Sequence, residues 1–217
     1  MRQVKSKQRV SDHGEVFTSE REVNAMLDLV KQETERIDSR FLEPACGTGN
    51  FLVEIFRRKL NVVGNRYKKS QLEYERYAII AISSIYGVDL LLDNVEECRN
   101  RLFAIFDQQY QALFKEKVKE KCLDSVQFIL GKNIIQGDAL TLNKVNSDDP
   151  IVFSEWSAVN GSMIKRRDFT LANLLKAEAA RAPDTLFSGN NESDPEFLPK
   201  PVKDFPLTHF LKLNEHG

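Results

Sequence analysis

The residues of this chain best placed to do chemistry begin with Phe41-Leu42-Glu43-Pro44-Ala45-Cys46-Gly47-Thr48-Gly49-Asn50-Phe51, a short apolar run broken by glycines and followed by a helical pattern. Glycines at a strand-to-helix junction let the backbone approach a ligand closely, and the amides that follow point at anionic or polar groups. Two carboxylates stand at comparable places further on, Asp89 after Tyr86-Gly87-Val88 and Asp138 after Ile134 to Gly137. A nucleoside cofactor fits the glycine junction. Each has a plainer reading: the glycines serve a tight turn, Asp89 caps a helix beginning near Asp93, and Asp138 is a turn residue.

Periodicity supplies the elements that must hold these residues. Val23, Met26, Leu27 and Val30 predict a helix over Thr18 to Thr34, opened by a Ser19/Glu22 capping box. Arg40 to Pro44 reads as a strand and Asn50 to Leu60 as a helix, with Phe51, Leu52, Ile55 and Phe56 on one face. After a polar separator at Asn61 to Lys69 come a helix over Gln71 to Ser84 and a strand over Ile85 to Asp89. Leu92 to about Lys119 is helical and charged, Asp124 to Leu130 a short helix, and Asn133 to Gly137 a third strand. Such alternation predicts an α/β doubly wound sheet.

Beyond it, Ile151 to Trp156 and Ser162 to Lys165 flank Asn160-Gly161 and predict a β-hairpin. Phe169 to Ala182 predicts one more helix. Five of the seven prolines follow Arg181, which divides the chain into a body over 1–182 and an extended or partly disordered tail over 183–217. Phe205, Leu207, Phe210, Leu211 and Leu213 near its end suit docking on the body or on a partner.

Composition bounds the rest. The chain has 217 residues, the size of one domain, and its 31 Lys and Arg nearly balance 32 Asp and Glu, so net charge leaves no footprint for a polyanion. The three cysteines, Cys46, Cys98 and Cys122, match neither a disulfide framework nor metal-ligand spacing. No run is long enough to span a bilayer, and Arg2, Lys5, Lys7 and Arg9 are not followed by the apolar stretch of a signal peptide, so a cytoplasmic protein is expected. Lys165-Arg166-Arg167 and Trp156 are a candidate DNA-contact cluster, with a solvated charge run and a packing tryptophan as the plainer alternative.

The segment Glu43 to Gly49 resembles motif I of the adenine-N6 DNA methyltransferases of restriction-modification systems, Asp/Glu-Pro-Ala/Thr-Cys/Ser-Gly-Ser/Thr-Gly, at every position. In family order, Gly14-Glu15-Val16-Phe17-Thr18-Ser19 looks like motif X, Tyr86 to Asp89 like motif II and Ile134 to Leu140 like motif III. The resemblance covers Val10 to Leu140. It implies a Rossmann-like S-adenosylmethionine-dependent methyltransferase fold, complete or incomplete, with the hairpin and the tail appended. It also implies binding of S-adenosylmethionine through Phe17, Thr18, Glu43, Ala45, Gly47, Gly49, Asp89 and Asp138, and methyl transfer to adenine N6 in DNA.

Motif IV of that family, Asn/Asp-Pro-Pro-Tyr/Phe at the end of the fourth strand, has no counterpart. No Pro-Pro occurs, and Asp194-Pro195-Glu196-Phe197 carries Glu in place of the second proline with no apolar strand before it. No catalytic residue is assigned. Four readings stay open: a split enzyme with a partner methyltransferase or restriction subunit, a degenerate cofactor-binding regulator, a methylase with an unfamiliar loop, and a noncatalytic interaction module of a restriction complex.

Overall fold

A computed structural model of the chain describes residues 8–9, 18–181 and 199–216. Three short strands, β1 (Phe41–Glu43), β2 (Ile85–Asp89) and β3 (Ile134–Gln136), form a parallel sheet in the order β1-β2-β3, with Leu42 opposite Tyr86 and Val88 opposite Ile135. Between and before them run helices α1 (Glu20–Asp28), α2 (Lys31–Thr34), α3 (Asn50–Tyr67), α4 (Gln71–Ser83), α5 (Leu92–Phe114) and α6 (Glu120–Asn133). A parallel sheet requires such crossovers, and its central strand is accordingly apolar and buried, with Ile85 and Val88 at 0 % exposure. This is the α/β architecture expected from the sequence, and it is a Rossmann-like methyltransferase fold.

The main core lies on the helical side of the sheet, where Phe56, Leu60, Ile79, Ile82, Leu102 and Phe106 meet. On the other side Tyr86 and Val88 pack with Ile151, Phe153 and Leu171. That second layer is a hairpin, β4 (Val152–Asn160) and β5 (Met163–Thr170), followed by α7 (Leu171–Arg181). Two short pieces, β6 (Lys203–Asp204) and β7 (Thr208–His209), pair with the other edge of β5. They bring Phe205, Phe210 and Leu213 into buried positions.

The boundaries differ from the sequence reading in four places. The first helix splits into α1 and α2 because Val30, at φ −120° and ψ 33°, leaves the helical region; its Ser19/Glu22 capping box is present. Helix α3 runs straight through the supposed separator at Asn61 to Lys69, since Val63 and Tyr67 continue the stripe begun by Phe56 and Leu60. The helix near Asp124 is longer at both ends. The hairpin turns at Gly161 and Ser162, with Asn160 paired to Met163, and β5 extends to Thr170, which shortens the following helix. Asp194 to Phe197 lies outside the described residues.

Candidate functional site

At the carboxyl ends of β1, β2 and β3 opens a cleft of ≈ 520 Å³, lined by residues that include Thr18, Glu43, Ala45, Gly47, Asp89 and Asp138. That is the place where parallel α/β sheets hold ligands, and the volume falls within the range of small-molecule sites. Six of the eight residues singled out in the sequence therefore share one cavity. Gly49 lies behind it, as the residue preceding α3 with φ 84°, against Cys98. Phe17 lies outside the described residues.

The glycine turn is fastened from three sides. Gly47, at φ 52°, donates its N–H to Asp89 Oδ2 at 2.8 Å, which ties the end of β1 to the end of β2. Arg101 of α5 donates to the Thr48 carbonyl at 2.6 Å and to Asn50 Oδ1 at 2.8 Å. Asn50 in turn donates to the Thr18 carbonyl at 2.9 Å, linking the segment before α1 to the start of α3. Asn50 and Phe51, the first residues of an 18-residue helix, thus line the cleft on an anchored turn.

Asp89 has a second duty. Its Oδ1 accepts from Leu91 N at 2.9 Å and from Asn94 Nδ2 at 3.1 Å, which caps the entry to α5. A carboxylate offers about four lone-pair positions, so three donors leave one for a ligand. Asp138 shows a similar combination: Oδ1 accepts from Leu140 N at 2.8 Å in a tight turn, while the residue lines the cleft. Leu140, 93 % exposed, stands at the rim. Arg9 bonds to Asp93 and to Oδ1 of Asn94, which itself lines the cleft.

Burial pushes the Glu43 carboxyl above its usual range, with a hydrogen bond from the Ala45 backbone opposing the shift. The Cys46 thiol is pushed up by its contact with Cys98, by burial and by the nearby carboxylates of Asp89 and Glu43. A thiol held protonated in this way is a small spacer under the loop, not a nucleophile.

Asn50, Asn94, Arg101 and Cys98 were not assigned from sequence. Arg101 in particular sits in a charged helix whose exposed cations look the same in sequence, and only the register of α5 against the turn singles it out. The candidate DNA-contact cluster is engaged internally. Arg166 bridges to Asp168 at 2.9 Å and lies 3.9 Å over the Phe205 ring, Arg167 pairs with Glu155 at 2.7 Å, and Lys165 pairs with Asp204. Trp156 is buried and donates to Asn133 Oδ1 at 3.0 Å, so it is a packing residue. Among the described residues no helix is long and apolar enough to cross a membrane.

A parallel sheet with a glycine-turn helix and acidic strand ends converging on one cleft places the ligand site of this α/β protein at the carboxyl ends of its strands. Comparison with family models narrows this: residues 16–151, more than half of the chain, match the DNA-methyltransferase domain of MmeI, and the chain belongs to that family of restriction-modification methyltransferases. No curated protein and no solved structure matches the chain.

Proposed function

We propose that the cleft binds S-adenosylmethionine and that these residues form the cofactor-binding part of a DNA adenine-N6 methyltransferase, the family's Asn/Asp-Pro-Pro-Tyr/Phe loop having no counterpart within the 217 residues. One observation carries the reading: in an MmeI-type methyltransferase domain, Thr18, Glu43, Gly47, Asp89 and Asp138 line a single cleft at the strand ends. The carboxylates that line the cleft support this reading. In it Asp89 uses its remaining lone pair for a ribose hydroxyl and Asp138 accepts from the cofactor's adenine amino group, with Thr18 at the methionine end.

The bound cofactor supplies an electrophilic methyl group on a sulfonium. For transfer the protein must hold the adenine amino nitrogen in line with the methyl group, and misplacement by about 1 Å costs on the order of a hundredfold in rate. The described residues offer an anchor for the donor but no loop of the Pro-Pro-aromatic kind for a base flipped from the duplex.

Calorimetric titration and thermal melting with S-adenosylmethionine test the first half. A hundredfold excess over Kd should stabilise the fold by about 2.7 kcal/mol. A folded protein unaffected by millimolar cofactor would defeat the proposal. Incubation with tritiated cofactor and adenine-containing duplex tests the second half: the chain alone should incorporate no label, and robust incorporation would mean that its own residues supply the loop.

A further inference from the structure

The guanidinium of Arg101 is directed at neutral oxygens. Among the described residues it has no carboxylate partner; its Nη1 donates to the Thr48 carbonyl at 2.6 Å, to the Thr48 hydroxyl at 3.1 Å and to Asn50 Oδ1 at 2.8 Å. Hydrogen bonds from a charged donor are stronger than neutral ones, so the end of the glycine turn is drawn firmly to the middle of the 23-residue helix α5.

The bond to Asn50 has a directional consequence. Arginine offers donors only, so the oxygen of the Asn50 amide must face it and the NH₂ must face away. On that far side the NH₂ meets the Thr18 carbonyl at 2.9 Å. Arg101 thus decides how the amide is turned, and the amide decides where the residue before the Ser19 cap of α1 is held. With an apolar side chain at 101 nothing would oppose the flipped amide, which sets an oxygen against the Thr18 carbonyl.

Strand order says which end of the cleft this concerns. Thr18 is tied to the start of α3, which follows β1, and Asp138 follows β3, while β2 with Asp89 at its end lies between them. Thr18 and Asp138 therefore mark opposite ends. A ligand with its adenine at Asp138 and its ribose at Asp89 carries the rest of its length toward Thr18, Asn50 and Phe51, which line the cleft. The bond from Gly47 N to Asp89 fastens the nucleoside part of the turn without Arg101.

We propose that Arg101 is a positioning residue for the amino-acid end of the methyl donor, acting through the Asn50 amide on Thr18. Arg101 is not among the residues that line the cleft. A merely structural arginine would weaken every ligand of the cleft alike when replaced; a positioning one weakens ligands that have an amino-acid end. The inference rests on the reading of the cleft as a methyl-donor site, and the choice of ligands keeps the two apart.

S-adenosylhomocysteine and 5′-methylthioadenosine share the adenosine and a neutral thioether, and the first alone has the amino-acid chain. Each is titrated calorimetrically into the full 217-residue chain and its variants, with thermal melting to verify folding. Arg101→Met should weaken S-adenosylhomocysteine by about tenfold or more and 5′-methylthioadenosine by no more than about twofold. Arg101→Lys, which keeps a donor toward Asn50 Oδ1, should recover most of the loss. Asn50→Ala should reproduce the selective loss, and adding Arg101→Met to it should cost no more than about twofold further. Asn50→Ala carries the same ligand contrast if Arg101→Met does not fold.

Equal loss of the two ligands in either variant, unchanged affinity for both, or independent losses that multiply in the double variant would each overturn the inference. Binding of neither ligand by the unaltered chain would overturn the proposed function and this inference with it; every other outcome bears on Arg101 alone.

Discussion

Gly49 gives the sharpest test of how the cleft is built. Its φ of 84° is in the left-handed region, and a Cβ added there would lie 2.5 Å from Cys98 Sγ and 3.3 Å from Cys98 Cβ. Gly49→Ala therefore carries two penalties: about 1–2 kcal/mol for the backbone conformation and about 1–3 kcal/mol for forcing an atom into a filled core. The second is relieved when the sulfur is removed, since the remaining 3.3 Å contact needs a shift of only a few tenths of an ångström. Cys98→Ala alone leaves a small void and should destabilise by about 1 kcal/mol. The double variant should then be more stable than the sum of the singles by about 1–3 kcal/mol. Equilibrium denaturation in urea of the four proteins measures this directly. Additivity within about 0.5 kcal/mol would refute the claim that the turn is wedged against Cys98. The coupling should also appear in cofactor binding, with the affinity lost in Gly49→Ala partly restored by Cys98→Ala.

Two further expectations come from the charges. Asp89→Ala removes the acceptor for Gly47 N, Leu91 N and Asn94 Nδ2; it should lower stability by roughly 2–3 kcal/mol and Tm by roughly 5–10 °C, along with cofactor affinity. A variant that melts like the wild type would show that the carboxylate does not hold the turn. Burial draws the Lys59 ammonium, which donates to Ile37 O, Ser39 O and Ser84 Oγ, down to about 7. Its folded-state pKa is below the unfolded value, so the unfolded chain binds more protons above neutrality and this group's contribution to stability grows as pH rises from 7 toward 10. Relative to Lys59→Met, the wild type should gain roughly 2 kcal/mol between pH 7 and 9. A flat difference across that window would show that the three acceptors cancel the effect of burial.

How far the sequence discloses all this depends on range. The Glu43 to Gly49 segment is legible because its turn is local: glycine dihedrals and an apolar helical face are written in consecutive residues. Asp89 and Asp138 are found as strand ends, and their bonds to Leu91 N and Leu140 N show that the plain cap and turn readings hold, while each carboxylate keeps a lone pair toward the cleft. Helix α3 extends past the expected end because Asn61, Asn65 and Arg66 look like a linker in sequence, while Val62, Val63 and Tyr67 carry the core contacts on past Leu60. The basic cluster at Lys165 to Arg167 looks like a surface feature until Asp204 and Phe205, distant in sequence, are placed beside it. The place of Arg101 beside the glycine turn is a property of tertiary register, and no local pattern announces it.

The dependence of β5 on both its edges has a temporal side. Its partner β4 is two residues away, but β6 and β7 contact it across separations such as Arg167 to Asp204 and Met163 to His209. On the ribosome the parallel sheet and the hairpin can assemble while residues 203–213 are still unmade, and contacts of that span close slowly. Until then one edge of β5 is a bare template for other nascent chains. Arg166 and Arg167 have Asp168 and Glu155 as soon as the hairpin forms, whereas Lys165 gains Asp204 and Arg166 gains the Phe205 ring last. The cluster that looks like a nucleic-acid contact in the sequence is completed only when those two residues are in place.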